Sequence, residues 1–171
     1  MISIQLMQNL KRHFFSFKNS FILQTKRMKQ ISIDDSQKLD NLIKENEDKK
    51  LILLFTGTKK ANGKSWCPDC VVADPIIESV VKETTEDQNM IFATVMVGDL
   101  PSWKSSDNGF RKHPKFAINC VPTLVNVPLN IRLEEGGCAD KTLVKKLFEG
   151  TLETGVTSKA GTCVDGVCRL R

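Results

Sequence analysis

Five apolar residues in a row, Leu51-Ile52-Leu53-Leu54-Phe55, constrain this chain more than any other feature. A strand with one face in water alternates apolar and polar side chains, whereas an unbroken run needs cover on both faces. The run therefore predicts a central strand in a largely parallel sheet of an α/β domain. A polar stretch, 56–64, follows it and leads to Ser65-Trp66-Cys67-Pro68-Asp69-Cys70. That turn then lies at the C-terminal end of a central strand, where open α/β sheets put their sites.

Two thiols two residues apart on the first turn of a helix are close enough to form a small disulfide and release it again, a geometry suited to electron transfer. The nucleophile in such exchange is the thiolate, so something must stabilise its charge. Here that role falls to a helix N-terminus, with unpaired N–H groups and the positive end of the helix dipole. Cys67 is expected at the N-cap and Pro68 at the first helical position, where its missing N–H costs nothing. Cys70, one turn further in, is expected to be more covered and to resolve a mixed disulfide formed at Cys67. Asp69 acts in two directions: it favours the helix start, yet a carboxylate beside the thiols opposes a thiolate. The net expectation is a less oxidising dithiol than a Pro-His or Gly-Pro dipeptide would give.

The chain has 171 residues, enough for one domain with a core plus extensions. Six cysteines are too few for a disulfide scaffold of this length. No convincing secretory signal precedes them, so a reducing compartment is expected. No stretch is long and apolar enough to suggest a bilayer span. The net charge of +5 is unevenly placed: six basic and no acidic side chains fall within 1–29, leaving 19 basic against 20 acidic elsewhere. The folded part thus has no electrostatic footprint for DNA or RNA.

Residues 1–29 read as a basic extension, with Met7, Leu10, Phe14, Phe17 and Phe21 at helical spacing. Residues 1–27 read either as a mitochondrial targeting segment or, the favoured alternative, as a disordered upstream stretch. Beyond it, Ile31 and Ile33 suggest a first strand, and Asp34 or Asp35 an N-cap. Leu39, Leu42 and Ile43 mark a helix ending near Lys49. The motif helix runs through Val71, Ile76, Ile77, Val80 and Val81, with Pro75 inside it and a kink expected there. Residues 90–97 read as a second central strand, 98–108 as a polar loop, 108–116 as a short helix carrying Phe110 and Arg111, and 121–124 as the start of a strand. An edge strand near 131–134 and a last helix over 140–148 complete the order, with Leu143, Val144, Leu147 and Phe148 on the buried side of that helix.

This order, with the Trp-Cys-x-x-Cys motif, resembles the thioredoxin fold: a central mixed β-sheet flanked by helices, in a single domain with N- and C-terminal extensions. Several motifs resemble one branch more closely, the thioredoxin domain-containing protein 17 family. They are Phe55-Thr56-Gly57-Thr58-Lys59, Gly63-Lys64-Ser65, Trp66-Cys67-Pro68-Asp69-Cys70, Pro101-x-Trp103-Lys104, Phe110-Arg111 and Val121-Pro122-Thr123-Leu124. The resemblance covers about 30–149 and leaves 150–171 as a tail. It implies a cytosolic, monomeric disulfide reductase with no bound cofactor, recharged by NADPH through thioredoxin reductase. The substrates it implies are oxidised proteins and small disulfides such as cystine, with support of peroxide removal.

Carried over by residue, the resemblance makes Cys67 the attacking thiol and Cys70 the resolving thiol, with Trp66, Pro68 and Asp69 tuning the pair. It makes Pro122 a cis-proline, and it makes Val121 the residue whose backbone meets an extended substrate. Trp103 with Lys104 reads either as core packing or as part of the rim that limits substrates, the rim being favoured because the resemblance puts that loop beside the motif. The sequence departs from ordinary thioredoxins at Leu54, where they keep a buried Asp, and this leaves proton handling at Cys70 unexplained.

The tail departs too, ending in Cys163-Val164-Asp165-Gly166-Val167-Cys168. These two cysteines read either as a candidate auxiliary dithiol for Cys67 and Cys70 or as incidental thiols in a disordered tail, the second reading being favoured. A zinc site is disfavoured, because the spacing of Cys163 and Cys168 is loose and Cys120 and Cys138 are single. Cys120 is expected in the core and Cys138 in a loop. His113 reads as part of a solvated Arg-Lys-His-Pro face, and neither it nor His13 has a partner at catalytic spacing. The rival to catalysis is a thioredoxin-like binding module whose disulfide is structural.

Overall fold

A computed structural model describes residues 28–84 and 89–153, together with the backbone of 163–164 and 167–168. The expectations for residues 1–27, including His13 and the targeting reading, lie outside the described residues. The elements are β1 (Lys29–Ile33), α1 (Ser36–Glu45), β2 (Lys50–Thr56), α2 (Pro68–Glu83), β3 (Met90–Met96) and α3 (Leu100–Lys104). They continue with β4 (Thr123–Asn126), β5 (Ile131–Glu134), a 3-10 turn (Glu135–Ala139), α4 (Lys141–Glu149), β6 (Cys163–Val164) and β7 (Val167–Cys168). The main sheet has the order β1-β3-β2-β4-β5, with β1, β3 and β2 parallel and β4 antiparallel to both its neighbours.

The unbroken apolar run is the middle strand, and both its faces are covered. Leu51, Leu53 and Phe55 join a cluster with Ile33, Leu39, Leu42, Phe110 and Phe116. Ile52 and Leu54 point the other way, into Ile77, Val80, Val81, Val144, Leu147 and Phe148. Side chains alternate along any strand, so a strand between two helical layers has no position to give to water. The second cluster extends at both ends of the chain's core: Met28 and Leu152 are buried in it.

Helix ends follow local chemistry. Asp35 caps α1, its carboxylate accepting the N–H groups of Gln37 and Lys38. α1 stops at Glu45, earlier than the sequence suggests, because Asn46 turns its amide back onto the Leu42 carbonyl at 2.8 Å. Asp140 caps α4, and Gly150, with φ of 80°, ends it in the left-handed conformation that glycine adopts freely.

The region from 98 to 116 corrects the expectation. The supposed loop contains α3, started by Asp99 accepting the Ser102 N–H at 2.9 Å. The supposed helix over 108–116 is irregular. Asn108 is the reason: its side-chain oxygen takes the N–H groups of Phe110 and Arg111, while its amide nitrogen donates to Val97 and Ser102 carbonyls. Pro114 adds to this by disfavouring helical backbone at His113.

His113 is not solvated. It is buried, with Nδ1 accepting the Lys115 N–H and Nε2 lying 3.1 Å from Asp40 on α1. With Nδ1 occupied as an acceptor, the ring proton sits on Nε2 and donates to the carboxylate. Cys138 is not a loop thiol either. Its sulfur is buried in the 3-10 turn against the Leu133 and Pro122 carbonyls, at 3.3 and 3.6 Å.

Candidate active site

Gly57, directly after β2, lets the motif fold back onto the strand end. A Cβ at this position would lie 2.7 Å from Ser65 Oγ and 2.8 and 2.9 Å from Trp66 ring atoms, so only glycine fits without displacement. The close approach is used: Ser65 Oγ donates to the Gly57 carbonyl at 2.9 Å and accepts the Cys67 N–H at 3.2 Å. Trp66 donates its ring N–H to the Gly98 carbonyl at 2.8 Å, tying the motif to the loop after β3. The motif is thereby held to the C-terminal ends of two adjacent parallel strands.

Cys67 is the N-cap of α2, Pro68 occupies the first turn, and the Cys67 sulfur accepts the Cys70 N–H at 3.3 Å. The same sulfur lies 3.2 Å from the Val121 carbonyl, a contact in which a protonated Cys67 donates. Val121-Pro122 is a cis peptide. Residues from two distant segments thus meet at one sulfur. Cys67 is 5% exposed and Cys70 fully covered, so Cys67 is the outer thiol and Cys70 the inner one.

The two thiols titrate as a pair. The contact between them pushes Cys67 up, with burial adding to the effect. The same contact lowers Cys70; burial opposes this, and the Gly57 backbone and the Thr56 hydroxyl assist it. The pair gives up its first proton more easily than its second, because two adjacent sulfur charges repel. Asp69 is buried beside them, its Oδ2 meets no partner among the described residues, and burial raises its pKa. Its charge works against a Cys67 thiolate, the second of the two directions read from the sequence.

Two residues depart from their expected places or were not expected at all. Trp103 is wholly buried in the apolar cluster that also holds Cys67 and Cys70, with the Arg111 guanidinium 5.3 Å from its ring, so it has no surface to offer a substrate. Lys104 beside it is exposed. The indole belongs inside because α3 presses one side of a short turn onto the sheet. Asp74, which the sequence reading passed over, lies one helical turn beyond Cys70. Burial raises its pKa, Lys59 at 3.6 Å opposes that, and its charge raises Cys70. The signal was available as an i, i+4 spacing on a helix whose start was known. Leu54, at the position that ordinary thioredoxins give to an Asp, is buried and apolar.

A model of the thioredoxin domain of thioredoxin domain-containing protein 17-like proteins matches residues 29–150. The chain belongs to this family. Mouse thioredoxin domain-containing protein 17 is 40% identical over 119 residues, covering 70% of this chain and 94% of the mouse protein. The human protein is 35% identical over 122 residues, covering 71% and 96%. A rice thioredoxin-like protein, Clot, is 33% identical over 92 residues, covering 53% of this chain and 62% of the rice protein. Membership in this thioredoxin-like family gives the chain the thioredoxin-like fold and a general role in thiol–disulfide redox chemistry. No helix among the described residues is long and apolar enough to cross a membrane.

Proposed function

We propose that this family member is a disulfide reductase of the cytosol, acting as a monomer on oxidised proteins and small disulfides such as cystine. The observation that carries the reading is the Cys67 sulfur at the N-cap of α2, accepting the Cys70 N–H at 3.3 Å. A thiolate formed there is favoured by the N–H groups of a helix N-terminus, and the sulfur is the outer member of the pair.

In the proposed cycle, the Cys67 thiolate attacks one sulfur of the substrate disulfide. The other substrate sulfur leaves as a thiolate and takes up a proton. Cys70 then loses its proton, attacks the Cys67 sulfur and releases the second substrate thiol, leaving a Cys67–Cys70 disulfide. Asp74 is the carboxylate that can take the Cys70 proton, since burial raises its pKa and its charge acts on that thiol. The Val121 backbone positions an extended substrate beside Cys67, while Trp66, Pro68 and Asp69 set the pair's electrostatics. The cycle calls for no bound cofactor; thioredoxin reductase passes electrons from NADPH to restore the dithiol, and the same electrons support peroxide removal.

The test is NADPH consumption by thioredoxin reductase with cystine as terminal disulfide. Wild-type protein should raise it above the reductase-only background, and Cys67→Ser should return it to that background. Equal background rates with both proteins, the dithiol being reduced and folded, would refute the reading.

A further inference from the structure

The last described backbone folds back on itself. β6 and β7 pair antiparallel, with Val164 opposite Val167 and Cys163 opposite Cys168. Asp165 and Gly166 join them, and Asp-Gly is a dipeptide that two-residue hairpin loops favour. In such a hairpin the pair next to the loop exchanges both backbone hydrogen bonds, and the next pair out exchanges none. Opposing Cα atoms at that outer position are closest, about 4.5 Å apart. A disulfide spans Cα separations of about 4.4–6.8 Å. A slip of one residue in register would turn the two side chains to opposite faces of the hairpin, where no disulfide can join them. The register observed is the one that permits the bond.

We propose that Cys163 and Cys168 form a second disulfide on this chain and that the Cys67/Cys70 dithiol reduces it. The exchange step rests on the disulfide-reductase reading; formation of the bond does not. The bond would enclose the four residues 164–167, and stabilisation by a disulfide grows with the loop it closes. So short a ring adds little to the fold, which leaves its chemistry as the use of the pair. A two-stranded hairpin alone is marginal in water, so pairing and bond support each other and are lost together. In closing, the two tail thiols give two electrons and two protons to a small disulfide, which becomes two thiols. In opening, the Cys67 thiolate attacks one tail sulfur, and the other leaves and is protonated. Cys70 then attacks Cys67, releases the remaining tail thiol and leaves the Cys67–Cys70 disulfide.

Two full-length variants separate the steps. Cys67→Ser/Cys70→Ser, incubated with oxidised glutathione, should yield a 163–168 peptide lighter by two hydrogens in mass spectrometry. Free thiols there, or cysteines each carrying glutathione, would overturn the proposal. The oxidised variant is then mixed with reduced Cys163→Ser/Cys168→Ser protein. The tail peptide should regain two hydrogens as the Cys67–Cys70 peptide loses two, at least tenfold faster than with the same concentration of glutathione. A tail that stays oxidised while the second variant still reduces cystine would overturn the exchange alone. Failure to reduce either disulfide would overturn the exchange and the reductase reading together.

Discussion

Two pairs of cysteines in this domain are buried to the same degree. Cys67 and Cys120 are each 5% exposed, and Cys70 and Cys138 are both wholly covered. What differs is the direction in which the surrounding backbone points. The Cys67 sulfur, although it also lies 3.2 Å from the Val121 carbonyl, receives the Cys70 N–H at a helix start. The Cys138 sulfur faces two carbonyl oxygens, to which only a protonated thiol can donate. Burial pushes Cys138 up, and it pushes Cys120 up to about 12 with the Glu134 charge adding to the effect. Burial alone therefore does not mark a thiol as inert or reactive; the local dipoles decide which form it keeps.

The largest expected effect is on turnover. Cys67→Ser should lower kcat/KM for cystine by about a thousandfold or more, since Cys70, the other thiol of the first turn, is fully covered. Cys138→Ser should leave kcat/KM within about twofold while lowering Tm, because a hydroxyl in an apolar cluster is a poorer occupant than a thiol. A large loss of turnover in Cys138→Ser would break the distinction between the pairs.

Alkylation measures the same contrast directly. In native reduced protein, iodoacetamide should label Cys67 roughly a hundredfold faster than Cys120 or Cys138, with the difference lost in denaturant. Equal native rates, read by peptide mass spectrometry, would show that the helix start confers no reactivity. Gly57→Ala tests the support rather than the sulfur. The added Cβ displaces Ser65 or the Trp66 ring, so stability should fall by about 1–3 kcal/mol and turnover with it.

Asp69→Asn should give the smallest change. Burial raises the folded-state pKa of Asp69 above its unfolded value, so its ionised form opposes folding. That penalty is complete above the folded pKa and vanishes as pH falls below the unfolded one. The variant should gain stability on the order of 1 kcal/mol at pH 7, and the gain should shrink in acid. A gain that persists unchanged to about pH 3, below the ordinary Asp value, would exclude the electrostatic cause.

The central strand, the motif and the helix caps were legible because each rests on neighbours in the chain. Leu51 to Phe55 needs only its own pattern, and Cys67 and Pro68 need only the helix that starts at them. His113 and Cys138 were misplaced for the opposite reason. A charged neighbourhood for the first and two adjacent glycines for the second describe surface in most chains. Asp40 on α1 and the carbonyls of Leu133 and Pro122 supply partners that local sequence does not announce. Trp103 was misassigned because its loop turned out to hold a helix, and a helix has an inner side.

The sequence by itself determined the α/β domain, the dithiol at a helix N-terminus and the family, because periodicity, capping and motif spacing act over a few residues. Only the tertiary structure decided that Val121 meets Cys67, that Trp103 is core, and that the carboxylate bearing on Cys70 is Asp74, on the helix, rather than one on the strand at Leu54. Those facts depend on segments far apart in sequence coming within a few ångströms, and no local preference encodes such a distance.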